Sequence, residues 1–220
     1  MMPIKIRRNN LILFCTLFVF SLLLPGTVFA QSALTPGERS AAKALYQTCR
    51  ACHGEQGQGN PLLKSPALAG QYAWYTKRQL NSFRSGLRGK AGDRTGQQMA
   101  AVSRQLTSEK DIELLAAYIE TLPGHTRAKA APGARNKNGY RYYQGKCGAC
   151  HGGEGRGNAA FNAPKLSGQQ AEYLLAQMKH FSEGKRGADK QDKFGRQMAM
   201  MAKTVSQQQL SDIVHYLAAL

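Results

Sequence analysis

The chain has 220 residues and carries 30 Lys and Arg against 13 Asp and Glu, a formal net charge of +17 at pH 7. That length holds two small domains or one larger one. The positive excess suits an acidic partner or an anionic membrane surface, and because no nucleic-acid-binding motif accompanies it, that class of partner is set aside.

Residues 1–30 read as a secretory signal peptide. Lys5, Arg7 and Arg8 form a positive start, Leu11 to Leu24 an apolar run, and Val28-Phe29-Ala30 a small-x-small cleavage signal before Gln31. The apolar run falls short of the roughly 20 residues that span a bilayer. Cleavage is therefore expected over a retained anchor, and a periplasmic location follows. Cys15 would leave with the leader. The other four cysteines form two pairs, Cys49/Cys52 and Cys147/Cys150, each followed at once by His53 or His151.

The rest of the chain repeats itself. A shift of 98 residues lays Cys49-Arg-Ala-Cys52-His53-Gly54 on Cys147-Gly-Ala-Cys150-His151-Gly152. The same shift lays Pro66-Ala-Leu-Ala-Gly70-Gln71 on Pro164-Lys-Leu-Ser-Gly168-Gln169, and Tyr75, Gln79, Phe83, Gly86 and Arg88 on Tyr173, Gln177, Phe181, Gly184 and Arg186. One extra residue in the second half then brings Gln98-Met99 onto Gln197-Met198, and the original shift returns by Tyr118 and Tyr216. Two domains are expected, 31–122 and 135–220. The Pro-, Gly-, Ala- and charge-rich stretch 123–134 would link them.

Each half reads as helical. Residues 36–51 and 134–149 are expected as helices leading into the cysteine pairs. Tyr75, Gln79 and Phe83 share one helical face, which Tyr173, Gln177 and Phe181 repeat. The closing helices carry Ile112, Leu115, Ala116 and Ile119, and Leu210, Ile213, Val214 and Leu217, at amphipathic spacing. Ser206 and Gln209 form a capping box before the second of these. Gly-rich loops lie between, and no strand is expected.

A Cys-x-x-Cys-His run is the attachment signature of c-type haem. Two thiols at that spacing can each form a thioether with one vinyl group, and the adjacent histidine supplies an axial nitrogen. Three other uses of paired cysteines compete. A zinc ribbon places its pairs closer together. Structural disulfides suit an exported chain but leave both histidines unexplained. A thioredoxin-like pair needs a βαβ context that is missing here. Two haem c groups are thus expected, at Cys49, Cys52 and His53 and at Cys147, Cys150 and His151.

The second axial position decides the chemistry, because methionine there suits electron transfer while an open position admits small molecules. Met99 is the one methionine between His53 and the linker. In the second half Met198 aligns with it, and Met200 is the main rival. Met178 aligns with Leu80 and is expected in the core. His125, His180 and His215 have no counterpart in the repeat and are expected in packing or surface roles. Pro66 and Pro164 each follow their histidine by 13 residues, a spacing that would let a loop carbonyl hold the imidazole's other N–H.

Taken together, the two Cys-x-x-Cys-His motifs, the two Pro-x-Leu-x-Gly-Gln segments, the Tyr-x-x-x-Gln-[Leu/Met]-x-x-Phe faces and the late methionine before each closing helix resemble the dihaem cytochrome c4 family. The resemblance implies an all-α fold of two tandem class I cytochrome c domains, each wrapped around one covalently attached haem. It implies His53 with Met99 and His151 with Met198 as axial pairs. It also implies a periplasmic one-electron carrier between an upstream donor and a membrane-bound terminal oxidase or similar respiratory acceptor. The basic surface would allow peripheral membrane association, and the run of Lys77, Arg78, Arg84, Arg88, Lys90, Arg94 and Arg104 would either dock an acidic partner or be a solvated face. Two alternatives stand beside the carrier: an electron-transfer subunit of a larger redox complex, and a dihaem enzyme such as a peroxidase, which needs an open sixth position.

Overall fold

Thr35 opens the first helix. Its hydroxyl accepts from the Glu38 backbone N–H while the Glu38 carboxylate accepts from the Thr35 N–H, a reciprocal capping box that the sequence reading missed. Pro36 at the first helical position adds a preset φ. Helix α1 runs Pro36–His53 and stops at Gly54, whose φ of +84° few side chains tolerate. The computed structural model describes residues 34–123 and 136–220. The expected leader, His125 and all of the expected linker but Pro123 lie outside them.

Three more helices complete the first half: α2 Ala73–Arg84, α3 Arg94–Ser103 and α4 Glu109–Thr121. The amphipathic stripe predicted for the closing helix is buried, with Ile112, Leu115, Ala116 and Ile119 all at 2 % exposure or less. Helices α1 and α2 pack on α4, and α3 packs on α2. The resulting core joins Ala42 and Tyr46 of α1 to Leu80, Ile112, Leu115 and Ile119.

The second half repeats the plan with α5 Lys137–Tyr143, a π-helical turn Gln144–Gly148, α6 Ala149–His151, α7 Ala171–Ser182, α8 Lys193–Ala202 and α9 Gln207–Ala218. Helix α9 starts with the expected Ser206/Gln209 capping box. It packs on α5 and α7, and α7 on α8. A separate core collects Tyr143, Leu174, Ile213, Val214 and Leu217. Among the described residues there is no strand, only the isolated bridges Asn60–Ser65 and Asn158–Ala163. None of the described helices is long and apolar enough to cross a membrane.

Two features depart from the sequence reading. The uniform shift pairs Tyr46 with Gln144, but the residue that does Tyr46's work is Tyr143. Their hydroxyls donate to the Gly54 and Gly152 carbonyls at 2.8 and 2.7 Å. The π-helical turn absorbs the one extra residue between Tyr143 and Cys147. Helices α3 and α8 were not anticipated, because Gly and Gln interrupt their apolar pattern. Each is started by an aspartate whose carboxylate accepts from the N–H of a glycine three residues on, Asp93 from Gly96 and Asp192 from Gly195, both at 2.8 Å. That repeated Asp-x-x-Gly was the available signal.

The run from Lys77 to Arg104 is not one open face. Lys77 and Arg84 pair with Glu113 and Glu109 on α4. Lys90 reaches Asp189 of the second half at 2.9 Å. Arg78 lies over the Phe194 ring and donates to the Asn162 carbonyl, and Arg88 is buried.

Candidate functional site

Both cysteine pairs sit on the last turn of a helix. In α1 this leaves Cys49 half-buried, Cys52 exposed and His53 buried at 4 % exposure; Cys147, Cys150 and His151 repeat the pattern, His151 at 5 %. Gly54 and Gly152 then turn the chain into a loop that brings Pro66 and Pro164 back onto the histidines. The His53 Nδ1 lies 2.8 Å from the Pro66 carbonyl oxygen, and the His151 Nδ1 2.9 Å from that of Pro164. A carbonyl can only accept, so the proton sits on Nδ1 and the Nε2 lone pair is left for a metal. Burial lowers both imidazole pKa values, against a smaller upward pull from the proline carbonyls. The rings are held neutral, the form a ligand needs.

One thiol of each pair is poorly placed to ionise. Burial first, and then Cys52, pushes the Cys49 thiol up to about 11. Burial does the same to Cys147, also to about 11. Reactive and zinc-binding cysteines work as thiolates, favoured at helix N-termini. These sit at helix C-termini, where the backbone dipole opposes negative charge. An uncharged thioether suits that position. No group of three or more His, Cys, Asp or Glu side chains among the described residues could hold a metal by itself.

In front of the motifs lies a continuous cavity of about 1420 Å³, walled by both halves. Typical small-molecule pockets span roughly 300 to 1,000 Å³, so this one has room beyond a single ordinary ligand. On the first side its wall includes His53, Pro66, Leu68, Leu80, Phe83 and Met99; on the second, His151, Pro164, Leu166, Phe181, Met178 and Met198. Met99 and Met198 are half-buried, whereas Met200 is 64 % exposed and Met201 37 %, both at the cavity's rim. His180 stands 3.6 Å from Asp93 and His215 is exposed; neither lines the cavity.

Between the halves the cavity wall holds a charged group that sequence reasoning listed only as matching positions. Arg88 donates to Gln79 at 2.7 Å and to Gln177 of the other half at 3.0 Å. Arg186 donates to Gln177 at 2.7 Å, to Gln79 at 2.9 Å and to the Tyr75 hydroxyl at 3.2 Å. Both guanidiniums are buried, and among the described residues no carboxylate accepts a hydrogen bond from either and the Arg88 Nε has no partner. Buried charges are normally paired. An apolar cavity with two such cations in its wall fits a flat apolar cofactor that brings its own carboxylates, as haem brings propionates.

An all-helical repeat with a thioether-competent Cys-x-x-Cys-His at each helix end and neutral, carbonyl-held histidines defines a dihaem c-type cytochrome. The sequence matches the cytochrome c family over residues 40–123 and 136–220. It is 33% identical over 194 residues to cytochrome c4 of Thiocapsa roseopersicina, covering 84% of this chain and 93% of that one. It is 31% identical over 189 residues to a thiosulfate dehydrogenase electron acceptor of Stutzerimonas stutzeri, 82% of each chain. The fold superposes on reduced cytochrome c4 from Pseudomonas stutzeri with a TM-score of 0.68 at 29% identity, over 83% of this chain and 98% of that one. The chain belongs to the cytochrome c4 family, two cytochrome c domains in tandem that carry two haem c groups and transfer electrons.

Proposed function

We propose that the protein is a periplasmic carrier, exported by a leader cleaved after residue 30, whose domains 31–122 and 135–220 receive electrons from an upstream donor and pass them to a membrane-bound terminal oxidase. When bound, the haems supply one-electron exchange between ferric and ferrous iron. His53 with Met99 would hold one iron, and His151 with Met198 the other. The Pro66 and Pro164 carbonyls hold the histidine rings, and Arg88 and Arg186 would balance the propionates. The observation that carries this reading is that each half places a buried histidine and a half-buried methionine in the wall of one apolar cavity. A closed iron changes little in ligation between oxidation states, which favours transfer over binding.

A second reading has a specific observation in its favour: one relative is named an electron acceptor of thiosulfate dehydrogenase. The two separate in one experiment. The reduced protein is mixed with oxidase-bearing membranes, and the oxidised protein with thiosulfate and its dehydrogenase. The oxidase reading expects haem oxidation in the first mixture, at a rate that falls as salt screens the basic surface. Absence of oxidation there, with fast reduction in the second, would replace it with the second reading.

A further inference from the structure

The Pro-x-Leu-x-Gly-Gln segments end in glutamines that reach across to the other half. The Gln71 Nε2 donates to the Lys165 carbonyl at 2.9 Å, and its Oε1 accepts from the Lys165 N–H at 3.1 Å. Gln169 does the same to Ala67, donating at 3.0 Å and accepting at 3.0 Å. Lys165 and Ala67 are the residues directly after Pro164 and Pro66. The Lys165 N–H and the Pro164 carbonyl therefore belong to one planar peptide group, and that carbonyl is the acceptor for His151. The Ala67 N–H and the Pro66 carbonyl share a plane in the same way, with His53 as the donor.

We propose that Gln71 and Gln169 are positioning residues that act in trans, each orienting the haem-binding histidine of the opposite half. Two hydrogen bonds bracket the residue after the proline and fix the rotation of its peptide plane. The plane then fixes where the proline carbonyl aims. Donation of the N–H to glutamine also polarises the amide, so its carbonyl becomes a better acceptor for imidazole. A stronger Nδ1–H bond makes the histidine a more basic ligand, which favours ferric iron. Each haem's potential is thereby set partly by the other half. Gln71 also accepts from the Tyr72 N–H, and Gln169 from the Gln170 N–H, so a purely local role at the start of the next helix is the competing explanation.

The inference rests on His53 and His151 ligating the haems, and the wild-type holoprotein tests that separately. Its reduced-state NMR spectrum must show both imidazoles strongly shifted by the haem ring current; their absence in the wild type would overturn the ligation itself, whatever the variants do. With those signals assigned, Gln71→Leu is expected to speed solvent exchange of the His151 Nδ1 proton several-fold, up to the roughly tenfold that complete loss of one hydrogen bond would give. It should also raise the potential of the second-half haem and leave the His53 proton unchanged. Gln169→Leu should give the mirror result. A folded Gln71→Leu protein with faster exchange at His53 alone, or at neither histidine, would overturn the trans role. If Gln71→Leu does not fold, Gln71→Asn decides: its amide is one methylene too short to bracket Lys165, so His151 must exchange faster and His53 must not, and an unchanged His151 rate would overturn the proposal.

Discussion

Of the three methionines in the run Met198-Ala199-Met200-Met201, one side chain sits half-buried in the cavity wall and two stand exposed at its rim. Sequence alignment alone favoured Met198 and kept Met200 as its rival, because spacing does not reveal which way a helix face turns. The half-buried position fits Met198 as the proposed ligand, a proposal that leaves the exposed pair as soft apolar cover. Met198→Ala is expected to abolish the methionine–iron charge-transfer band of the second haem, and Met200→Ala to leave it intact, as read by near-infrared absorption of the ferric protein. The cysteines and histidines were legible because their chemistry is written in five consecutive residues. The roles of Arg88, Arg186, Gln71 and Gln169 were not, since each depends on atoms in the other half that no local pattern specifies.

At the scale of elements, the closing helices were legible from their apolar period, and the helix leading into each motif from its position. The register of the second leading helix was not. Its π-helical turn moves Tyr143, rather than Gln144, into the place that Tyr46 holds in α1. The same change puts Gly139 where α1 has the buried Ala42, at the crossing of α5 and α9. A Cβ on Gly139 would lie 2.0 Å from the Asp212 carbonyl oxygen, a backbone atom that cannot swing aside. Gly139→Ala gains up to about 1 kcal/mol in helix propensity, but overpacking costs roughly 1–3 kcal/mol, and a contact that short places it at the upper end. A net loss of about 2 kcal/mol is expected, read as a lower denaturation midpoint for the absorbance of the second haem. An unchanged midpoint would mean that α5 and α9 slide apart at little cost.

At the scale of the whole molecule, two separate apolar cores meet around one cavity, and the polar groups that join the halves also face it. The glutamine–arginine box, the bracketed peptide planes and the Lys90–Asp189 pair all cross between the repeats. That arrangement suits two redox centres that act as a pair within one carrier, with the positive surface left to steer it toward acidic partners. Everything in this reading depends on both irons being closed by methionine. The most direct test is the optical and electron paramagnetic resonance spectra of the full-length ferric protein. A dihaem carrier predicts two low-spin haems, each with a methionine–iron charge-transfer band. A high-spin haem that binds cyanide or peroxide readily would contradict it.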